Sequence, residues 1–305
     1  MAVKTSKASG ETTKASVQDS PDSSGGTGSS VPATIEPEKG LRKVTVIEND
    51  WNPLTELWCD VFIVGEEPYG FPSLLSRARC KKAEHLHKAD FVLFTGGMPD
   101  VSPELYGEEK HERTYSEPDA DVRDIQVFQE AVYLGIPMVG VCRGAQFLHV
   151  MNGGKLFQHV DKHNGKAHDI YLPNEGETIG PVSSVHHQMC RPNILNGMEV
   201  LAVAYESEVK WLNPNMSYNG LHKLGDEDIE AFWYPDTACF GVQGHPEYSG
   251  FDEYTIWFTE MIDKLIIENP DIMLMQGNRR LKQEVMEKRK WRMPDDVGAF
   301  LKKHG

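Results

Sequence analysis

Short apolar, β-branched runs recur along this chain, and stretches of helical spacing separate them. Residues 43–47 (KVTVI), 60–64 (DVFIV) and 91–94 (FVLF) read as three buried strands. Residues 119–134 alternate charge with Val122, Ile125, Val127, Phe128 and Val132, the spacing of an amphipathic helix that stops at Gly135-Ile136-Pro137. Another apolar run, 136–141, follows at once. Strand, helix and strand in this order predict right-handed crossovers and an α/β fold: an open, mostly parallel sheet with helices on both faces. Beyond residue 168 the texture changes. Residues 169–172, 182–185, 199–205, 229–234 and 239–243 are shorter β-rich segments, which either extend the sheet or form a small extra β-layer. Residues 253–268 predict a helix with a wide apolar face containing Tyr254, Trp257, Phe258, Met261 and Ile262.

The two ends differ from this pattern. Residues 1–40 are rich in Ser, Thr, Gly and Lys and carry almost no large apolar residue, so they predict a disordered tail. They have no apolar h-region, so no secretory signal is expected, and their mixed acids and lack of Arg argue against a mitochondrial transit peptide. Residues 269–305 read as a basic, helical C-terminal extension, its basic segment running from 279 to 292. Between the ends, 41–268 suits one catalytic-sized α/β domain.

Composition narrows the function classes. The net charge of −15 argues against a broad nucleic-acid footprint. No apolar stretch approaches the roughly 18 residues of a membrane span. Five irregularly spaced cysteines fit a reducing compartment better than a disulfide framework, so the expected location is cytoplasmic. A zinc-type C-x-x-C, a dinucleotide G-x-G-x-x-G and a P-loop are all missing from the sequence, and no cofactor is expected.

Chemistry concentrates at Gly140-Val141-Cys142-Arg143-Gly144, where the 136–141 run ends and a helix begins. A sharp strand-to-helix turn lifts the cysteine above the sheet edge, and flanking side chains would collide with the helix or the next strand. The helix N-terminus favours thiolate. A cysteine nucleophile needs a base, and that base needs an orienting acceptor. His245 in Gly241-Val242-Gln243-Gly244-His245-Pro246-Glu247 follows a predicted strand, at the edge where open α/β sheets bind ligands, and Glu247 is near enough to hold its ring. A tetrahedral oxyanion needs donors. The backbone N–H of Arg143 is one, and Gly97 in Thr95-Gly96-Gly97, after strand 91–94, supplies another.

Other clusters read as inert. His159, His163 and His168 have a spacing that suggests metal ligands, but they lie in a polar stretch without neighbouring carboxylates, so no metal is expected. Arg123 reads as a structural partner of Asp121 and Asp124, and Cys59, Cys80, Cys190 and Cys239 lack the elbow setting.

These pieces, in this order, resemble the class I glutamine amidotransferase superfamily over roughly residues 43–268. Within it the chain looks most like the γ-glutamyl hydrolase branch, including hydrolases of γ-glutamyl-γ-aminobutyrate. The matching stretches are Thr95-Gly96-Gly97 with Pro103-Glu104-Leu105-Tyr106-Gly107, then Arg123-Asp124, and the elbow as far as Gln146. Gly153-Gly154-Lys155-Leu156-Phe157-Gln158, Ser184-Val185-His186-His187-Gln188 and Gly241 to Glu247 follow. The resemblance implies a flavodoxin-like fold and a Cys142–His245–Glu247 triad that hydrolyses the γ-amide of glutamine or a γ-glutamyl compound through a thioester. It further implies an oxyanion hole from Gly97 and Arg143, and a pocket for the glutamyl group lined by Gln146, His186, His187 and Gln188. A free-standing hydrolase and a glutaminase serving a separate synthetase are both compatible with it. An intact triad weighs against a third reading, a non-catalytic binding member of the fold. One departure stands out: the branch often has Trp before the catalytic histidine, and here Gly244 leaves an expected gap beside the site. Residues 212–230 have no counterpart in the pattern.

Overall fold

Phe91 and Leu93 enter one hydrophobic layer and Val92 and Phe94 the other, and Val139 and Met138 divide in the same way. Such splitting requires strands buried on both faces, and two-faced burial explains their unbroken apolar sequence. The computed structural model describes residues 59–67, 70–218, 227–248, 250–269, 272 and 291–305. The tail expected over 1–40, the strand expected at 43–47 and nearly all of the basic segment 279–292 lie outside the described residues.

In chain order, β1 (Cys59–Val64), α1 (Phe71–Arg77), β2 (Cys80–Lys82), β3 (Phe91–Phe94), α2 (Pro118–Leu134), β4 (Met138–Val141) and α3 (Arg143–Met151) form the first half. Next come β5 (Leu156–Phe157), β6 (His159–Val160), β7 (His168–Leu172), β8 (Glu177–Val182) and β9 (Met189–Cys190). The chain continues through β10 (Glu199–Ala204), β11 (Lys210–Asn213), β12 (Met216–Tyr218), β13 (Asp228–Tyr234), β14 (Cys239–Val242) and α4 (Asp252–Ile262). A π-helical turn, Asp263–Ile267, prolongs α4, and α5 (Asp295–His304) ends the chain.

The central sheet runs β2-β1-β3-β4-β14-β13-β10-β7-β8. From β2 to β14 every pairing is parallel, and from β14 to β8 every pairing is antiparallel. The architecture is therefore α/β, with a parallel half at the site. Of the later β-rich segments, β7, β8, β10 and β13 extend this sheet, while β6, β11 and β12 make a separate three-stranded layer. α4 closes one face through Tyr254, Phe258, Met261 and Ile262. α2 and α3 close the other with Ile125, Phe128, Phe147 and Leu148. Val297 and Phe300 place α5 in that same layer, and Trp291 donates to the Met151 carbonyl at 2.9 Å. The last helix is thus part of the core.

Two local expectations change. The strand expected at 182–185 ends at Val182, because the Ser183 and Ser184 hydroxyls leave the ladder to bond His245 and His163. α1 and β2 had no clear signal: one is seven residues long with a proline in its first turn, the other is Cys-Lys-Lys.

The turn from β4 into α3 carries the strain. Cys142 has φ 51° and ψ −110°, a backbone conformation that costs on the order of 1–3 kcal/mol for a non-glycine residue. Its N–H is held by the Val242 carbonyl at 2.8 Å. A Cβ on Gly140 would stand 2.6 Å from the Ala145 nitrogen, and one on Gly144 would stand 2.1 Å from the Phe94 carbonyl oxygen. Both obstacles are backbone, so neither can yield cheaply. Below the turn, the Arg143 guanidinium bonds Asp121 at 2.7 Å, Asp124, and the Pro99 carbonyl at 3.0 Å. Burial pushes the Asp121 carboxyl above its usual pKa and Arg143 opposes that shift.

Gly144→Ala is expected to lower the unfolding free energy by about 1–3 kcal/mol through overpacking. Gly298→Ala in α5, where the nearest atom to a new Cβ is Met293 Sδ at 3.8 Å, is expected to raise it by about 0.5–1 kcal/mol. Denaturant unfolding of both variants checks this; equal effects, or the opposite order, would contradict the packing at the elbow.

Candidate active site

β4 and β14 are parallel neighbours in register, Val141 opposite Val242, so Cys142 and His245 leave the sheet at the same carboxyl edge. A hundred residues of sequence separation vanish in one strand pairing. β3 lies on the other side of β4, with Phe94 opposite Gly140, and delivers Thr95-Gly96-Gly97 to the same edge. These are the crevices in which open α/β sheets hold ligands.

His245 is buried and its ring is held from two directions. Nδ1 lies 2.7 Å from Glu247 Oε1 and the ring stacks on Tyr248 at 4.6 Å and 11°. A Cβ on Gly96 would stand 2.6 Å from His245 Cε1 and 3.3 Å from Cys142 Cβ, which puts the ring and the cysteine against the same glycine. Its backbone N–H donates to Ser183 Oγ at 2.7 Å. Burial alone would lower the imidazole pKa, but hydrogen bonds to Cys142 and Glu247 outweigh it and push it up to about 10. That environment favours the charged imidazolium of His245. Ser183 and Tyr248 were missed in the sequence. Neither residue type signals a role, and only their nearness to the SSVHHQ and GHPE stretches marks them.

Arg143 opens α3 directly after Cys142, so its backbone N–H has no intrahelical acceptor. Gly97 has φ 128° with open space around its α-carbon. Both line a cavity of about 520 Å³ together with Gly96, Thr95 and Asp124. A larger cavity, about 1050 Å³, is lined by Glu247 and Tyr248 with Glu67, Arg77 and Asp252.

Gln146 and His186 grip the protein itself. Gln146 Nε2 donates to the Gln188 carbonyl at 3.0 Å, and His186 Nδ1 lies 3.0 Å from that same carbonyl. The Gln188 side chain reaches Thr114 Oγ1 at 3.5 Å, and His187 Nε2 meets Asp100 Oδ1 at 3.2 Å. Three of the four side chains expected to line the glutamyl pocket, Gln146, His186 and Gln188, are buried, and the contacts of all four tie the 183–188 segment to its surroundings.

Three readings of the sequence are corrected here. The cation that pairs with Asp121 and Asp124 is Arg143 from the elbow, in place of Arg123 from their own helix. Gly244 leaves no gap: a Cβ there would lie 2.5 Å from Val182 Cγ1 and 3.0 Å from both the Ser183 carbonyl and the Tyr254 hydroxyl. β8 and α4 fill the space. His163 and His168 are buried and do have carboxylate neighbours, since β13 brings Asp228 and Glu230 beside them. His159 stands apart, against Trp211 at 4.9 Å.

Among the described residues no helix is long and apolar enough to cross a membrane. The chain is 28% identical over 200 residues to the glutamine amidotransferase-like protein YvdE of Lactococcus lactis, covering 60% of this chain and 74% of that one. It is 20% identical over 225 residues to a glutamine-hydrolysing GMP synthase component from Picrophilus torridus, covering 73% of this chain and 98% of that protein. A solved glutamine amidotransferase from Thermotoga maritima aligns over 77% of this chain and 99% of its own, with 15% identity and a TM-score of 0.43. The family model for Peptidase C26 matches residues 66–247, more than half of the 305-residue sequence and a span that contains the elbow, His245 and Glu247, and the chain belongs to that glutamine amidotransferase-like family.

Proposed function

We propose that this protein hydrolyses the γ-amide bond of glutamine or of a γ-glutamyl compound, with Cys142 as nucleophile, His245 as proton carrier and Glu247 as its orienting acceptor. The observation that carries this reading is the Glu247–His245 hydrogen bond at 2.7 Å, delivered by the β4–β14 pairing to the same sheet edge as the strained Cys142. The Cys142 thiolate attacks the γ-carbonyl carbon and the C=O electron pair moves onto oxygen, where the Arg143 and Gly97 N–H groups receive the charge. His245 gives its proton to the leaving nitrogen, the C–N bond breaks, and ammonia or an amine departs from a γ-glutamyl thioester. Water then enters. His245 takes its proton, the hydroxide adds to the thioester, and the C–S bond breaks to release glutamate and restore the thiolate. Gln146, His186, His187 and Gln188 set the course of the 183–188 segment, whose main chain would meet the glutamyl head group.

The similarity to a component of glutamine-hydrolysing GMP synthase favours a second reading, in which the released ammonia passes to a separate synthetase. Glutamate release by the purified chain, from L-glutamine and a panel of γ-glutamyl amines, separates the two. Fast unaided turnover of one compound identifies a free-standing hydrolase, and turnover that is slow throughout identifies a synthetase component. In either case Cys142→Ala is expected to lower glutamate release at least about a thousandfold with the fold intact. Residual activity within about tenfold of the parent would remove Cys142 as nucleophile.

The raised pKa of His245 sets a pH dependence. Its imidazolium persists until the pH approaches about 10, so kcat/KM is expected to decline on the alkaline side only in that region. Glu247→Gln removes a carboxylate that raises this pKa, and the alkaline limb should move to lower pH while kcat falls about 100-fold or more. A limb that does not move would take Glu247 out of the triad.

A further inference from the structure

Beneath the 183–188 segment lies a second buried cluster that the triad does not use. His163 and His168 come from the stretch leading into β7, and Glu230 comes from the middle of β13. All three are buried, and one donor atom from each lies within 4.8 Å of the other two. Glu230 Oε1 stands 3.2 Å from His168 Nε2 and 3.7 Å from His163 Nδ1. Bonds of about 2.0–2.2 Å in a tetrahedron give ligand-to-ligand edges of about 3.3–3.6 Å, and the two distances bracket that range. We infer that His163, His168 and Glu230 form a binding site for a divalent cation of the zinc class.

The surroundings support a ligand set over a plain hydrogen-bond cluster. His163 Nε2 lies 3.1 Å from Asp228 Oδ2, the carboxylate–histidine arrangement that fixes the tautomer of a metal ligand and leaves Nδ1 as a bare lone pair. Ser184 Oγ is 3.2 Å from that Nδ1, but its hydrogen goes to the His163 carbonyl at 2.7 Å and cannot serve the ring as well. Glu230 Oε2 is buried without a hydrogen-bond partner, so the protein's own donors leave this carboxylate under-satisfied. Unpartnered buried acceptors are costly, and a cation bound by the Glu230 carboxylate would offset that cost. Charge points the same way. Lys210 Nζ, 2.9 Å from Asp228 Oδ1, balances Asp228, so the Glu230 carboxylate remains to face the cation with two imidazoles. Two nitrogens and a carboxylate suit Zn²⁺ or Co²⁺ better than Mg²⁺ or Ca²⁺, which prefer all-oxygen sites. The ion would tie β13 to the 163–168 stretch and, through Ser184 and its neighbour Ser183, to the backbone of His245. Its role is to hold this segment, and the inference stands whether or not the chain hydrolyses γ-glutamyl amides.

Co²⁺ titration of the full chain carrying Cys142→Ser tests it, because that substitution removes the triad thiolate as a competing site and leaves every proposed ligand in place. Equilibrium dialysis should give one Co²⁺ per chain, with strong visible ligand-field bands of four-coordinate cobalt, displaced by Zn²⁺. His168→Gln and Glu230→Gln should each weaken binding by about 100-fold or more. X-ray absorption of the zinc-loaded Cys142→Ser chain should show a nitrogen and oxygen shell with two imidazoles and no sulfur. No cobalt bound by the Cys142→Ser chain overturns the site, as does a sulfur ligand or binding that neither substitution weakens.

Discussion

The constraint on which this structure depends is the turn at Cys142. A non-glycine residue at positive φ is held there by the carbonyl of a neighbouring strand, by two glycines with backbone against their α-carbons, and by an arginine anchored below. Each restraint comes from a different element: β14, β3, α3 itself and α2. The turn is stable only when the sheet and the first crossover are assembled together. This is why a chemically exposed geometry can coexist with a sulfur that is almost completely buried.

Arg143 serves this turn twice. Its backbone opens α3 beside Cys142 at the carboxyl edge of the sheet, and its side chain reaches the Asp121 and Asp124 carboxylates. A buried pair of this kind adds little net stability over an apolar replacement, yet losing one partner is expensive, at about 3–5 kcal/mol. Its value here is positional. The first residue of α3 cannot rotate without leaving a charge unpaired, so the N–H that follows the nucleophile has a fixed direction.

Once these restraints are stated, it becomes clear what the sequence could reveal. Strand 91–94, the elbow and the length of α2 were legible because each is a local pattern: an apolar run, a glycine-bracketed cysteine, a 3.6-residue period. His245 was legible because the strand before it also ends at an open edge. What escaped depends on pairings across long separations. Arg143 took the acids that Arg123, within two residues of both, was expected to hold. Gly244 looked like a lost indole, yet Val182 and Tyr254 already occupy that volume. His163 and His168 seemed to lack carboxylates because Asp228 and Glu230 lie more than sixty residues further on. Spacing along the chain does not encode which antiparallel strand will come back beside a loop.

That returning strand explains the polar interior. β13 is buried along its whole length, but it begins with Asp228 and Glu230 where an apolar alternation would be expected. It sits at the point where the sheet changes from parallel to antiparallel, next to β14. Gln243, just past the end of β14, donates its N–H to the Glu230 carbonyl at 2.8 Å, which ties the strand carrying the acids to the loop carrying His245. Carboxylates in such a place require cationic or donor partners, and Asp228 obtains them from Lys210 and His163. The partners in turn fix where Ser183 and Ser184 leave the sheet, and Ser183 holds the backbone of His245. The antiparallel half of the molecule is therefore no passive extension. Its buried charges help set the path of the segment that holds His245 beside Cys142 of the parallel half.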